Sequence, residues 1–140
     1  MDEEESLRRF GLHPTGARLD EVRRLLGERT ERERRAQGEG DTELMRLCCV
    51  QLFNGGDLDD ALLVWNAKEA GFDAACSIEI ELLLGRGLGP TKDHLAAHPA
   101  PSAAAALRRL CELEEAGAFE GFSVEEQSAG YARYYADEEE

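Results

Sequence analysis

Residues 44–53, LMRLCCVQLF, constrain this chain more than any other stretch. The run is apolar on nearly every face and is interrupted only by Arg46 and Gln51. A helix that is hydrophobic all round has no solvent side, so other elements must enclose it. Asp41 or Thr42 suits an N-cap ahead of it, and Asn54-Gly55-Gly56 supplies residues that tolerate the left-handed backbone of a helix end. The pattern predicts a buried central helix over 43–54, and the rest of the sequence has to cover it.

The flanking segments read as helices. Leu7, Phe10 and Leu12 point inward from a short first helix, which Pro14 and Gly16 end. Leu19, Val22, Leu25 and Leu26 form one stripe of a helix beginning near Arg18. Its tail, residues 28–37, has no apolar side chain except Ala36 and reads as exposed, with a flexible link at Gly38 and Gly40. Asp57 caps a helix over 57–71, with acids in its first turn and Lys68 near its far end. In 73–84, Ile78, Ile80 and Leu82 alternate with Glu79 and Glu81 as in a strand. Cys76, Ile80, Leu83 and Leu84 equally make a helical stripe, and a lone strand would have nothing to pair with, so a helix is expected. Pro90 opens a short helix, Ser102 is expected to cap another over 102–117, and a last helix carries Tyr131, Tyr134 and Tyr135. ALLVWNAKEAG, from Ala61, can be laid over LRRLCELEEAG, from Leu107, an offset of 46 residues that suits stacked helical hairpins. The fold class expected is all-α: a multi-helix bundle, or a short helical-repeat-like array, of about six to eight helices. Residues 1–40 are expected to form an N-terminal helical arm with a flexible link, 41–136 the helical core domain, and 137–140 a disordered acidic tail.

The chain of 140 residues is long enough to bury a core without disulfides or metals. Its net charge is −14, and residues 41–140 hold seven basic residues against twenty acids. A field of that sign repels phosphate backbones and anionic lipid, which argues against nucleic acid and membrane surfaces as partners. The arginines of 18–35 alternate with acids at three- and four-residue spacing and read as a solvated helix face. No run of eighteen apolar residues is present, and MDEEESLRRF lacks the apolar segment of a secretion signal. A cytoplasmic setting with reduced thiols is expected.

Few residues suggest chemistry. Cys48 and Cys49 are adjacent, so on a helix they point about 100° apart and do not make a redox pair. Their neighbours are apolar, and both read as core filling, with thiol pKa values raised by burial. Cys76 and Cys111 also fall in apolar helical stripes, and no cysteine spacing matches a zinc site. His94 and His98 stand at i and i+4 and could share a metal, yet Leu95 occupies the place of the HExxH glutamate. They read first as surface or capping residues, and no cofactor is expected. GRGLG lacks the spacing and the Lys-Ser/Thr of a phosphate loop. Trp65 reads as core. Tyr131, Tyr134 and Tyr135 either latch the last helix onto the bundle or form a partner-binding patch.

The segments LCCVQLFN, DALLVWNAK, FDAACSIE, TKDHLAA and FEGF together with YARYY resemble, as a set, a group of uncharacterised bacterial hypothetical proteins over residues 44–135. That pattern often has a cysteine where this chain has Leu84. The resemblance implies a bacterial, cytosolic context and carries no activity.

The function expected from sequence is a non-catalytic protein-interaction or scaffold domain, with a partner protein or a second copy of itself bound through a helical face. An immunity-type inhibitor that blocks a basic toxin such as a nuclease is the alternative, because an acidic field speeds association with a basic partner. A metal-dependent enzyme or metal-binding protein using His94 and His98 stands third.

Overall fold

The computed structural model of the chain describes residues 1–139. Among them there are eight α-helices and no strand: α1 (Glu3–Phe10), α2 (Gly16–Arg35), α3 (Thr42–Gly55), α4 (Asp60–Lys68), α5 (Phe72–Ser77), α6 (Leu88–Ala97), α7 (Pro101–Glu115) and α8 (Val124–Glu139), with a 3-10 turn at Ile80–Leu83. None of these helices is long and apolar enough to cross a membrane.

The expected central helix is present. Every residue of α3 from Leu47 to Phe53 is buried, as are Leu44 and Met45. Asp41 caps it, Oδ1 accepting from the Leu44 N–H at 3.2 Å, and Gly56 ends it in the left-handed region at φ 70°. Helices α1, α2, α4, α5, the 3-10 turn and α8 all pack on α3. Fully burying each of its large apolar side chains contributes about 1.5–3 kcal/mol before conformational entropy is subtracted. Helix α7 packs chiefly on α6 and α4, forming an outer layer. The inner stripe of α7 is Ala103, Ala106 and Leu110, and these small residues let it lie close. Its first helical residue is Pro101, so Ala100 and not Ser102 stands at the N-cap.

Residues 1–40 do not stand off as an arm. Leu7, Phe10, Leu19, Val22 and Leu26 belong to the same core cluster as α3. The linking loop is closed by an acid turned inward. Glu33 is 1% exposed, and its carboxylate accepts from the Gly38 and Gly40 N–H groups, both at 2.9 Å. A Cβ on Gly40 would lie 2.6 Å from the Arg29 carbonyl oxygen, so only glycine allows this closure. On the far side of α2, Arg23 holds the buried Asp60 of α4 in a two-pronged contact, Nε–Oδ1 at 2.8 Å and Nη2–Oδ2 at 2.9 Å. At the other terminus α8 continues to Glu139, so the backbone of 137–139, expected to be disordered, is helical; residue 140 lies outside the described residues.

The segment 73–84 differs most from expectation. Helix α5 ends at Ser77, Ile78 is extended at φ −106° and ψ 105°, and a 3-10 turn follows. A continuous helix would turn some of Ile78, Leu82, Leu83 and Leu84 away from the core, whereas all four are buried here. The Lys68 ammonium satisfies the end of α5, donating to the Ala75 and Ile78 carbonyls at 2.7 and 2.6 Å. Beyond the turn the backbone passes so close to α3 that a Cβ on Gly85 would sit 2.5 Å from the Phe53 carbonyl oxygen.

Gly85→Ala is expected to destabilise the protein by about 2 kcal/mol, because a backbone atom cannot step aside. Gly89→Ala, whose Cβ would meet nothing within 4 Å, is the control. It is expected to be neutral or stabilising by up to about 1 kcal/mol within α6. Denaturant unfolding of the two variants checks both.

Candidate functional site

The two polar interruptions of α3 lead to the parts of the molecule that are not plain packing. Gln51 is fully buried and donates to the Gly11 carbonyl at 2.8 Å, which fixes the end of α1. Arg46 emerges on another face, where its guanidinium meets the break after α5. Glu79 lies just past that break and accepts from Arg46 Nη2 at 3.0 Å on Oε1 and 3.3 Å on Oε2. A helix continued through 79 would carry this carboxylate elsewhere.

Helix α8 closes over the pair. The Tyr131 hydroxyl donates to Glu79 Oε1 at 2.9 Å and accepts from Gln127 Nε2 at 2.9 Å. The Tyr135 hydroxyl accepts from Arg46 Nη1 at 3.1 Å. Arg46 Cζ lies 5.5 Å from the Tyr131 ring centre and 5.1 Å from that of Tyr134, within cation–π range. Tyr131 also meets Phe53 edge-on at 5.7 Å. One turn earlier on α8, Ser128 donates to Asn54 Oδ1 at 2.8 Å, while the Asn54 amide holds the Leu12 carbonyl at 2.8 Å. Burial works against the charge on Arg46, but Glu79 and the Tyr135 hydroxyl outweigh it and the pKa is raised. Burial raises Tyr131 and Tyr135 as well, keeping both hydroxyls protonated.

Outside this network the surface opens into a cleft of about 500 Å³, whose lining includes Arg46, Glu79, Phe122, Gln127, Gly130 and Tyr134. Of the three tyrosines, Tyr131 and Tyr135 are 4% and 0% exposed and act as the latch, whereas Tyr134 is 53% exposed at the cleft. A partner can reach the ring of Tyr134 and not that of Tyr135. Arg46 and Glu79 were not singled out as site residues from sequence. The available signal was a guanidinium placed inside an otherwise apolar run, which had to find a partner.

The other sequence candidates lie apart from the cleft. His94 sits 3.3 Å from Asp59, with Nε2 facing Oδ1. The His98 ring is centred 6.0 Å from it, and its Nδ1 accepts from the Ala100 N–H at 3.1 Å. Among the described residues no three His, Cys, Asp or Glu side chains converge as metal ligands would. Cys48 and Cys49 are fully buried, but Cys76 is exposed and Cys111 half-buried, so the apolar stripe proposed for Cys76 does not shield it. Trp65 is 8% exposed and part of the core. Arg86 of the GRGLG loop donates to the Gly56 carbonyl at 3.2 Å, a structural role. Compared with protein-family models, curated proteins and solved structures, the chain finds no match.

Burial pushes the Cys48 thiol up to about 12 from an ordinary value of 9.0, and Cys49 moves the same way. The folded state therefore keeps protons that the unfolded chain releases. The stabilisation is complete below about pH 9 and is lost as pH climbs towards 12, at roughly 1.4 kcal/mol per pH unit per thiol within that window. Thermal melts should fall steeply between about pH 9 and 12, and more shallowly in a Cys48→Ala, Cys49→Ala variant. A maleimide should label Cys76 fastest and Cys111 more slowly in the folded protein. Cys48 and Cys49 should label only on unfolding, as mass spectrometry of the modified peptides would register.

Proposed function

We propose that the chain is a non-catalytic protein-interaction domain that receives a polypeptide segment of a partner in the cleft along α8. The observation that carries this reading is the fixed Arg46 guanidinium, held by Glu79 against the rings of Tyr131 and Tyr134 on one wall of an open cleft. Tyrosine and arginine dominate binding hot spots because they offer large contact area with little freedom left to lose. Here the salt bridge and the tyrosine hydroxyls have already frozen Arg46 before any partner arrives. The lining mixes aromatic rings with an amide, a hydroxyl and charges of both signs, which suits the alternating polar and apolar demands of a peptide. The one ring left substantially open, Tyr134, sits where a partner would make first contact. The net charge of −14 would speed the approach of a basic partner, the property an inhibitor of a basic toxin would also use.

A photo-crosslinking amino acid in place of Tyr134 tests the reading, with Arg108 on the exposed side of α7 as the control position. Crosslinking in the native cell is expected to give one defined product from position 134 and none from 108. Gly130→Trp, whose Cβ would meet only the end of the Arg133 side chain at 3.7 Å, fills the cleft and should abolish that product. A product of twice the chain's mass would identify the partner as a second copy. The same product from both positions, or none from 134, would overturn the assignment.

A further inference from the structure

Helix α8 is held to the bundle more lightly than the long helices on the other sides of α3. Among residues 124–136 only Tyr131 and Tyr135 are buried, with Val124, Gln127, Ser128 and Gly130 half-buried. Helix α2 sinks Leu19, Val22, Leu26, Thr30 and Glu33, and α4 sinks Asp60, Ala61, Val64, Trp65 and Ala67. The cost of lifting each helix differs in kind as well as amount. Lifting α2 would strip Arg23 from the buried Asp60 carboxylate and leave that charge without its partner. Lifting α8 strands no charge in this way. Arg46 keeps both contacts with Glu79, and the Asn54 amide keeps the Leu12 carbonyl. Water can take the places of the Tyr131, Tyr135 and Ser128 hydroxyls on Glu79, Arg46 and Asn54, so little net energy rides on those three bonds. The main loss is apolar: two tyrosine rings and the edge contact with Phe53.

The chain also has a pivot where it enters α8. Phe119, buried in the core, anchors the connection from α7. Gly121 follows in the left-handed region at φ 75°, with nothing within 4 Å of where a Cβ would be. Past the glycine, Ser123 Oγ accepts from the Glu126 N–H at 3.0 Å, so α8 carries its own cap and borrows none from the bundle. Native proteins open in such cooperative pieces, at free energies below that of global unfolding. We propose that α8 is a strap, which leaves and rejoins the bundle as one unit by turning at Gly121 while α1 to α7 stay folded. Glu126, Gln127, Gly130, Tyr131 and Tyr134 all line the cleft, so the strap is one of its walls and the cleft exists only while α8 is seated. A molecule bound to α8 on one side and to Arg46 or Glu79 on the other would hold the strap down.

Native-state hydrogen exchange on the intact, isotope-labelled protein tests the strap. The amides of 127–135 should exchange through one shared opening, at least about a hundredfold more often than those of α3. Low denaturant should speed α3 and leave α8 nearly unchanged, because lifting one helix exposes little surface. Val64→Ala, a core truncation in α4, should speed α3 at least about tenfold and again leave α8 unchanged, since the bundle it weakens is common to the seated and lifted states. Tyr135→Phe, which removes the hydroxyl bonded to Arg46, should speed the α8 amides about tenfold. The strap is overturned if α8 and α3 respond alike to denaturant or to Val64→Ala, which would make them one cooperative unit. It is also overturned if the α8 amides show graded rates falling inward from the C-terminal end, which is fraying, or if Tyr135→Phe leaves them unchanged. The wild-type denaturant series decides the matter even if Val64→Ala does not fold. Crosslinking at Tyr134 judges the cleft as an interaction site separately, and the strap stands or falls without it.

Discussion

The structure depends on a single demand: a helix buried on nearly every face must still find a partner for the one charge in its apolar run. Helix α3 buries Leu44, Met45 and everything from Leu47 to Phe53. Its apolar side chains call for neighbours all round, and six other elements answer. Its polar side chains are more exacting. An unpaired guanidinium in such surroundings would cost several kcal/mol, so the position of Arg46 dictates where a carboxylate has to be. That carboxylate belongs to Glu79, and delivering it requires the backbone to leave the helix at Ile78. The break in the chain, the salt bridge and the seat of α8 are thus consequences of one basic residue in an apolar run.

Polar contacts of this kind recur wherever the molecule joins its layers. Arg23 with Asp60 pins α2 to α4, Gln51 pins α1 to α3, and Lys92 with Glu114 spans α6 and α7 at 2.6 Å. Apolar burial drives these helices together without choosing among similar arrangements, because it is non-directional. The directional contacts choose. At the α8 seam the selected arrangement leaves a groove walled by rings and guanidinium groups, so the constraint that fixes the core also shapes this stretch of the surface.

The amino-acid sequence disclosed the parts governed by local rules. Asp41 and Gly56 bound α3 as their capping chemistry requires, and the apolar stripes of α2 and α3 face inward as their spacing predicts. Features governed by distant contacts stayed hidden. Glu33 reads as one more charge on a solvated helix tail; only the loop that folds back on it, with N–H groups at 2.9 Å, makes it an interior residue. The end of α5 was equally invisible, since the groups that meet it, Lys68 on its carbonyls and Arg46 on Glu79, come from other helices. Three tyrosines spaced for one helix face were noticeable. Which of them latch and which one stays open depends on where Arg46 and Glu79 stand relative to α8.

Helix α5 has one more consequence. Six residues are too few for a helix to persist in water on its own strength, and this one is held at its end by the two carbonyl contacts of Lys68. It also bears Phe72, 71% exposed, and the most accessible thiol of the chain. The most exposed apolar ring and the most exposed thiol therefore ride on the element with the least order of its own. A single lysine acts as the clasp: acetylating its amine would remove the charge and leave one N–H, which cannot serve both carbonyls, and so would loosen that corner of the surface.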